Sequence, residues 1–249
     1  MCILQLSTLA SLPRNNVAEN CASDCPVHAC RRGKEAAIEA DFWQFEREAR
    51  LAGHERIAGV DEAGRGPLAG PVVAAAVVLP PDFDITGIRD SKSLTRVQRE
   101  EACQRITSGA WAIGVGIVGP ETIDSINILQ ATYEAMRAAL KDMGAALDFV
   151  LVDGYPVPDL GVPQRGIIKG DKTSASIAAA SVVAKVTRDC IMVELAREFP
   201  GYGFEKHKGY CTKEHLRAIE ERGVCAVHRR SFGPVARKVN DDCRQRNLF

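Results

Sequence analysis

Residues 59–67 place two adjacent carboxylates, Asp61 and Glu62, between an apolar run and the sequence Gly64-Arg65-Gly66. The apolar run over residues 57–60 predicts the end of a buried strand, on which neighbouring side chains point to opposite faces. Only one carboxylate can therefore point straight into a site, and the other must reach it obliquely or through water. Keeping both charges beside an apolar strand is unfavourable, and a multivalent cation is the usual reason for doing so.

The overall charge gives no sign of an anionic partner. The 249 residues carry 32 basic and 32 acidic side chains, so there is no global basic field of the kind that indicates nucleic-acid binding. Any anionic partner must therefore be held by local patches. Acids gathered around a cation would leave the remaining surface more basic than the total indicates.

The nine cysteines are an odd number without a framework spacing, which indicates a reducing compartment. No run approaches the roughly 18 apolar residues of a membrane span, and the first thirty residues resemble neither a secretory signal nor an anchor. We therefore expect a cytoplasmic protein with no membrane partner. Cys21, Cys25, His28 and Cys30 form a small cluster that matches no zinc spacing, and both a metal knuckle and an unstructured cluster stay open.

Three domain boundaries follow from the pattern of the chain. Residues 1–35 lack periodicity and predict a flexible extension, and residues 241–249 predict a flexible tail. Residues 36–240 predict one domain, of which 201–240 form a helical C-terminal region. Apolar runs predict strands over 57–60, 70–79, 110–118, 148–152 and 165–169, and helices over 95–108, from 119 and over 174–199.

The order of these elements predicts an α/β layered domain with helices on both faces of the sheet. In the helix that begins at residue 119, apolar side chains recur every three or four residues and predict a buried stripe. Its members are Ile126, Leu129, Tyr133, Met136, Leu140 and Met143.

Asp61, Asp153 and Asp171 share one context, because each follows an apolar, strand-like run. Carboxyl ends of neighbouring parallel strands lie side by side, so these acids and Glu62 are expected to converge. Oxygen ligands select Mg²⁺ or Mn²⁺, and two such ions suit phosphodiester hydrolysis. The alternative is that each aspartate only caps a helix or closes a turn.

The glycines on either side of Arg65 would let the backbone touch a ligand closely, or could simply form a tight turn. A dinucleotide cradle is excluded, because the neighbouring acids would repel a pyrophosphate and the glycine spacing is wrong.

Two further segments could contact an anionic polymer. Residues 203–210 place Lys206, His207 and Lys208 beside two aromatic side chains, which predicts either a patch that grips a nucleic-acid backbone or a solvated loop with one docked Phe. Asp90-Ser91-Lys92 carries a lysine and a hydroxyl that could hold phosphate oxygens.

Together these motifs resemble bacterial ribonuclease HII over about residues 55–235. The three aspartates occur in the family's order, separated by 92 and 18 residues. Ribonuclease HIII typically has threonine in place of the arginine and carries a separate amino-terminal domain, so Arg65 and the short extension favour type II. The matching segments are residues 59–66, Asp90-Ser91-Lys92, Val152-Asp153-Gly154, Lys169-Gly170-Asp171 and His207-Lys208-Gly209-Tyr210.

The resemblance implies a ribonuclease H-like fold with a mixed five-stranded sheet, flanking helices and a C-terminal helical region. It implies hydrolysis of RNA in RNA/DNA hybrids and cleavage 5′ of single ribonucleotides in duplex DNA, as in ribonucleotide excision repair, leaving 3′-hydroxyl and 5′-phosphate ends. Two divalent cations, Mg²⁺ or Mn²⁺, would be held by the catalytic acids Asp61, Glu62, Asp153 and Asp171.

The resemblance also implies substrate contacts. Gly64, Arg65 and Gly66 would sense the 2′-hydroxyl that distinguishes RNA from DNA. Tyr210 would stack on the sugar that follows the ribonucleotide, and Lys92 would hold phosphate. At the C-terminus, Gln245, Leu248 and Phe249 look like the pentapeptide with which bacterial proteins bind the sliding clamp.

Two other interpretations stay open. The chain could be a catalytically silent module that binds hybrid duplexes, although all four acids are present. It could also be another polynucleotidyl transferase of the same fold, such as a resolvase or transposase, which would lack the Gly-Arg-Gly sensor.

Overall fold

The computed structural model describes residues 41–88 and 94–246, except for the side chains of residues 242 and 244–246. A five-stranded sheet lies between helices that cover both of its faces. In chain order the elements are α1 Gln44–Leu51, β1 Ile57–Ala63, β2 Val72–Val78, α2 Arg96–Gly109, β3 Ala112–Val118, α3 Pro120–Asp142, β4 Phe149–Asp153, β5 Gln164–Ile167, α4 Ala175–Glu198, α5 Phe204–His207, α6 Lys213–Arg222 and α7 Gly233–Arg246, with a 3₁₀ turn Gly170–Lys172 between β5 and α4.

The strand order β3-β2-β1-β4-β5 brings three strand ends together. β2 pairs antiparallel with both β1 and β3, whereas β4 pairs parallel with both β1 and β5. The predicted mixed five-stranded sheet is therefore confirmed. Because β1, β4 and β5 run side by side in one direction, their carboxyl ends lie along one edge of the sheet.

All seven residues of β2 are buried, because strands flank it on both sides and helices cover both faces. Ala75 and Val77 pack in the cluster formed with α2 and α4, whereas Ala74 and Ala76 pack in the cluster formed with α3. This alternation is the two-residue period of a strand. Each fully buried valine stabilises the fold by about 1.5–3 kcal/mol, which is why a continuous apolar run suits this position.

Two glycines let helices approach the sheet closely. A Cβ atom at Gly59 in β1 would lie 2.1 Å from the carbonyl carbon of Ser176 in α4. A Cβ atom at Gly116 in β3 would lie 1.9 Å from the carbonyl oxygen of Ala135 in α3. Any larger residue would push the helix away from the strand. The contact at Gly59 fixes the start of α4 over the strand that carries Asp61.

The continuous apolar stripe predicted along α3 is wrong at Leu129, which is exposed. Asn127 has φ 69° and ψ 164°, and its Oδ1 accepts hydrogen bonds from the N–H groups of Leu129 and Gln130. Asn127 thus caps a second helical segment, and the change of phase leaves Leu129 outside the contact with the sheet. The other members of the predicted stripe pack in or against the same cluster as the buried Ala131, Ala135 and Ala139.

The described residues after α4 form three helices, α5, α6 and α7, in agreement with the predicted helical C-terminal region. Residues 241–246 belong to α7, so the helix continues past the predicted boundary at 240. No Gly or Pro follows Pro234 to interrupt the helix, and Val235 and Val239 pack beside Leu68. None of the described helices is long and apolar enough to cross a membrane.

Three predicted features lie outside the described residues. They are the extension over residues 1–35 with Cys21, Cys25, His28 and Cys30, the segment Asp90-Ser91-Lys92, and the end of the clamp-like pentapeptide, Leu248 and Phe249. The backbone of Gln245 lies in α7, but its side chain is not described.

A pair of buried histidines holds the C-terminal region together. His215 Nδ1 donates to the carbonyl oxygen of Tyr210 at 2.9 Å, so its Nε2 is an acceptor in the neutral ring. This Nε2 accepts from Nε2 of His228 at 3.1 Å, and Nδ1 of His228 in turn accepts from the N–H of Cys225 at 3.1 Å. The chain of bonds requires both rings to be neutral.

Burial lowers the pKa of His215 and of His228 from 6.5 to about 4, and the proximity of the other imidazoles adds to the effect. Both rings are therefore neutral in the native state above about pH 4. In the unfolded chain they take up protons as the pH falls below 6.5. The unfolded state then binds more protons than the native state, so stability falls between pH 6.5 and about 4.

We predict that the free energy of unfolding decreases on acidification by about 1.4 kcal/mol per pH unit for each histidine of this pair. His215→Gln removes one titrating group, so the dependence of unfolding free energy on pH between 6.5 and 4.5 should become shallower. Urea unfolding at several pH values measures it, and His54→Gln, outside this pair, is the control. An equally steep dependence in His215→Gln would contradict the account.

Candidate active site

Asp61 and Asp153 lie on neighbouring parallel strands at the same edge of the sheet. Val60 pairs with Val152, so the following residues, Asp61 in β1 and Asp153 at the end of β4, come next in the register. Asp61 is only 6% exposed, and its Oδ1 accepts a hydrogen bond from the N–H of Glu62 at 2.7 Å. Its carboxylate also bonds to the side chain of Ser181 in α4. The predicted convergence of these two strand ends is observed.

Asp171 reaches the same edge by a different route from the one predicted. β5 ends at Ile167, and Asp171 lies on the following 3₁₀ turn, after Lys169 in a left-handed conformation with φ 59°. The N–H of Gly170 donates to Oδ1 of Asp153 at 2.7 Å. This bond holds the turn against the end of β4, and Asp171 is buried there.

Burial and neighbouring negative charge raise the pKa of Asp61 and of Glu62. Burial raises the pKa of Asp61 well above its usual value, and the negative charges of Glu62 and Asp153 raise it further. Burial also raises the pKa of Glu62, and Asp153 adds to this, although the guanidinium of Arg65 opposes the shift. Three acids therefore share a poorly solvated space with little compensating charge.

These residues fit a hard divalent cation. The donors are carboxylate oxygens, which select Mg²⁺ or Mn²⁺ over softer metals. Within the described ranges, no three His, Cys, Asp or Glu side chains form a ready-made metal cluster. Mg²⁺ rarely needs one, because one or two carboxylates, waters and substrate phosphates usually complete its shell. A cation would also relieve the repulsion that raises the pKa of Asp61 and Glu62.

The Gly64-Arg65-Gly66 loop follows β1 directly, and its two glycines serve different purposes. Gly64 has φ 99°, and a Cβ atom there would lie 2.1 Å from Nε of Arg188, so the fold itself requires glycine. Gly66 is exposed, and a Cβ atom there would meet nothing within 4 Å. Arg65 Nη1 donates to Oε1 of Glu62 at 3.2 Å, so the arginine folds back over the acids.

Tyr210 is brought to this loop by backbone contacts. The N–H of Leu68 donates to the carbonyl oxygen of Gly209 at 2.8 Å, which ties the two loops together. The Tyr210 side chain is 42% exposed. Its ring lies 5.8 Å from Cζ of Arg188 and 5.8 Å from Nζ of Lys185. An exposed aromatic face is thus backed by two cations.

The cationic patch predicted over residues 203–210 is smaller than the sequence indicated. Nε2 of His207 donates to the carbonyl oxygen of Tyr202 at 2.7 Å, so this ring is a structural donor. Lys208 Nζ bonds to the carbonyl oxygen of Glu205, and burial lowers its pKa. Phe204 is fully buried, whereas Tyr210 is exposed. The segment therefore combines a docked Phe with one available aromatic platform.

Lys92 lies outside the described residues, so its predicted phosphate contact has no structural test.

The sequence analysis missed three residues of α4, namely Ser181, Lys185 and Arg188. Their spacing of four and three residues places them on one helix face, toward Asp61 and Tyr210. Three polar residues at helical spacing within a run of alanines and valines were the available signal.

Known proteins share this architecture. The sequence profile of the family "Ribonuclease HII" matches residues 58–235. Ribonuclease HII of Bacillus mycoides (strain KBAB4) is 53% identical over 202 residues, covering 81% of this chain and 78% of that protein.

Two solved structures also match. The ribonuclease H2 of Pyrococcus horikoshii OT3 has a TM-score of 0.63 at 27% identity, covering 77% of this chain and 100% of that one. The PCNA:RNase HII complex of Archaeoglobus fulgidus gives 0.62 at 25% identity, covering 72% and 96%. With the profile matching most of the chain and the expected fold confirmed, this protein belongs to the ribonuclease HII family and is a ribonuclease H enzyme.

Proposed function

We propose that this enzyme hydrolyses the RNA strand of RNA/DNA hybrids and cuts duplex DNA 5′ of a single embedded ribonucleotide. The products would carry a 3′-hydroxyl and a 5′-phosphate, and the activity would serve ribonucleotide excision repair. One observation carries the proposal: buried, mutually repelling carboxylates lie directly before a glycine loop whose Gly66 has open space beside it. That arrangement suits an anionic substrate bridged to the protein by cations.

Asp61, Glu62, Asp153 and Asp171 would hold two divalent cations, Mg²⁺ or Mn²⁺. When bound, such cations activate an attacking water and stabilise the departing oxygen. The protein orients the carboxylates through Ser181 and through the N–H groups of Glu62 and Gly170. Fixed donors of this kind limit the reorganisation needed when charge develops.

The glycine loop would read the 2′-hydroxyl, which is the chemical difference between RNA and DNA. A side chain at Gly66 is not forbidden by the protein, so its absence leaves room for something outside the protein. Tyr210 would stack on the sugar that follows the ribonucleotide. Support comes from its exposed ring and from the bond between Leu68 and Gly209, which couples its loop to the glycine loop.

The alternative functions differ in what they demand of these residues. A silent hybrid-binding module would have no need for buried, mutually repelling acids. A resolvase or transposase of the same fold would cleave branched, all-DNA substrates, and a loop that reads a 2′-hydroxyl would serve no purpose there. Incubation with a branched DNA that lacks ribonucleotides separates these functions, because only a resolvase or transposase would cleave it.

A sliding-clamp contact through Gln245, Leu248 and Phe249 is a further part of the proposal. Support comes from the A. fulgidus relative, which was solved as a PCNA:RNase HII complex. α7 ends at Arg246, so it includes the backbone of Gln245 and stops two residues before Leu248.

We predict that Asp61→Asn lowers cleavage of a duplex with one ribonucleotide by about a hundredfold or more, because a cation ligand is lost. The thermal midpoint should hold or rise, since a buried repulsive charge is removed. Gel assays with Mg²⁺ measure the rate, and the exposed Asp159→Asn is the control. Near-normal cleavage by Asp61→Asn would refute the metal role.

We predict that Gly66→Ala lowers cleavage by about tenfold or more while changing stability by less than about 0.5 kcal/mol. The added methyl group meets no protein atom within 4 Å, so the loss would come from collision with substrate. Gly233→Ala, which also adds a methyl group in open space, is the control. Unchanged cleavage by Gly66→Ala would show that this glycine only closes a turn.

We predict that Tyr210→Ala lowers the preference for a single ribonucleotide over a continuous hybrid, because stacking contributes about 1–3 kcal/mol per contact. Tyr210→Phe keeps the ring and should retain the preference. The ratio of kcat/KM on the two substrates is the measurement. An unchanged ratio in Tyr210→Ala would argue against the stacking role.

A further inference from the structure

Two arginines, Arg188 and Arg229, are completely buried beneath the Gly64-Arg65-Gly66 loop. Both residues are 0% exposed, and among the described residues all of their side-chain hydrogen bonds go to backbone carbonyls. Burial lowers the pKa of Arg229 to about 9, and repulsion from Arg188 contributes. Two like charges in such a place are unfavourable, so they require an explanation beyond packing.

Arg229 holds the carbonyls of the glycine loop. Its Nη2 donates to the oxygen of Gly64 at 2.6 Å, and its Nη1 donates to the oxygen of Arg65 at 3.0 Å. Its Nε donates to the oxygen of Gly70 at 2.9 Å. One planar guanidinium thereby fixes two successive peptide groups at the start of the loop and a third at its end.

Arg188 joins the same loop to the loop of Tyr210. Its Nε and Nη2 donate to the oxygens of Pro71 and Ala69 at 2.9 and 3.1 Å. Its Nη1 donates to the oxygen of Lys208 at 3.0 Å, two residues before Tyr210. The position of the exposed ring is thus linked to that of the glycine loop.

These bonds decide which way the loop amides point. In a trans peptide the carbonyl and the following N–H point in opposite directions. With the carbonyls of Gly64 and Arg65 turned inward to Arg229, the N–H groups of Arg65 and Gly66 are turned away from it. Within the described residues neither N–H donates a hydrogen bond, and Gly66 faces open space.

We propose that Arg229 and Arg188 are positioning residues for ribonucleotide selectivity. They orient the N–H groups of Arg65 and Gly66 outward as donors for the 2′-hydroxyl oxygen. They also fix the position of Tyr210 relative to these two N–H groups. Donation from a cation to each carbonyl also polarises the peptide and strengthens its N–H as a donor. This inference rests on the proposed function, in which that loop reads the ribonucleotide.

The test compares affinities for two duplexes of identical sequence, one all-DNA and one with a single ribonucleotide, with Ca²⁺ in place of Mg²⁺ to suppress cleavage. Arg229→Lys keeps a charge, but a compact ammonium cannot reach three carbonyls in fixed directions. We expect its Kd ratio between the duplexes to fall about tenfold. The Kd for all-DNA should stay within about twofold of wild type.

The Kd ratio does not depend on the folded fraction, because partial unfolding raises both constants by the same factor. Arg230→Lys, the same change at the next, exposed residue, is the control and should leave the ratio unchanged. Arg188→Lys is a second variant, because the Arg188 side chain bonds to the far end of the same loop. Its Kd ratio between the two duplexes should fall as well.

Failure of the inference and failure of the proposed function are distinguishable. A Kd ratio equal to that of wild type in both Arg229→Lys and Arg188→Lys, including the case in which both duplexes bind equally more weakly, would overturn the inference. If wild-type protein itself shows no preference for the ribonucleotide duplex and no cleavage of it, the proposed function fails instead.

Discussion

The active edge of this protein depends on carboxylates that are held together in a poorly solvated place although they repel one another. The parallel pairing of β1 with β4 puts Asp61 and Asp153 on adjacent strand ends. The close approach of α4 to Gly59 buries Asp61 and brings Ser181 to it. Folding therefore supplies the free energy that brings these charges together, and a divalent cation bound there would recover part of it.

The substrate-reading elements are organised by a different interaction. The glycine loop and the Tyr210 loop come from positions far apart in the chain, yet they are connected by the Leu68–Gly209 backbone bond and by two buried guanidinium groups. His215 fixes the carbonyl of Tyr210 from the other side. The proposed catalytic acids therefore rest on the sheet, whereas the proposed recognition loops rest on a polar network beside it.

Much of this arrangement could be predicted from the sequence. The apolar run of β2 and the acids after β1 and β4 carry local signals, because burial on both faces and strand direction determine which residues are tolerated. The 3₁₀ turn that carries Asp171 and the change of phase at Asn127 were missed. Each depends on a single left-handed non-glycine residue, for which hydrophobic periodicity gives no sign. Arg188 and Arg229 were missed because arginine side chains are usually exposed, and the sequence does not show which backbone carbonyls could accept hydrogen bonds from a buried one.

The most direct test of the account is to map the cleavage site on a DNA duplex that contains one ribonucleotide and to identify the new ends. Attack by an activated water at the edge formed by Asp61, Glu62, Asp153 and Asp171 predicts a single cut 5′ of the ribonucleotide, with 3′-hydroxyl and 5′-phosphate ends. A cut on its 3′ side that leaves a 2′,3′-cyclic phosphate would contradict the account, because the 2′-hydroxyl would then be the nucleophile rather than the group that is recognised.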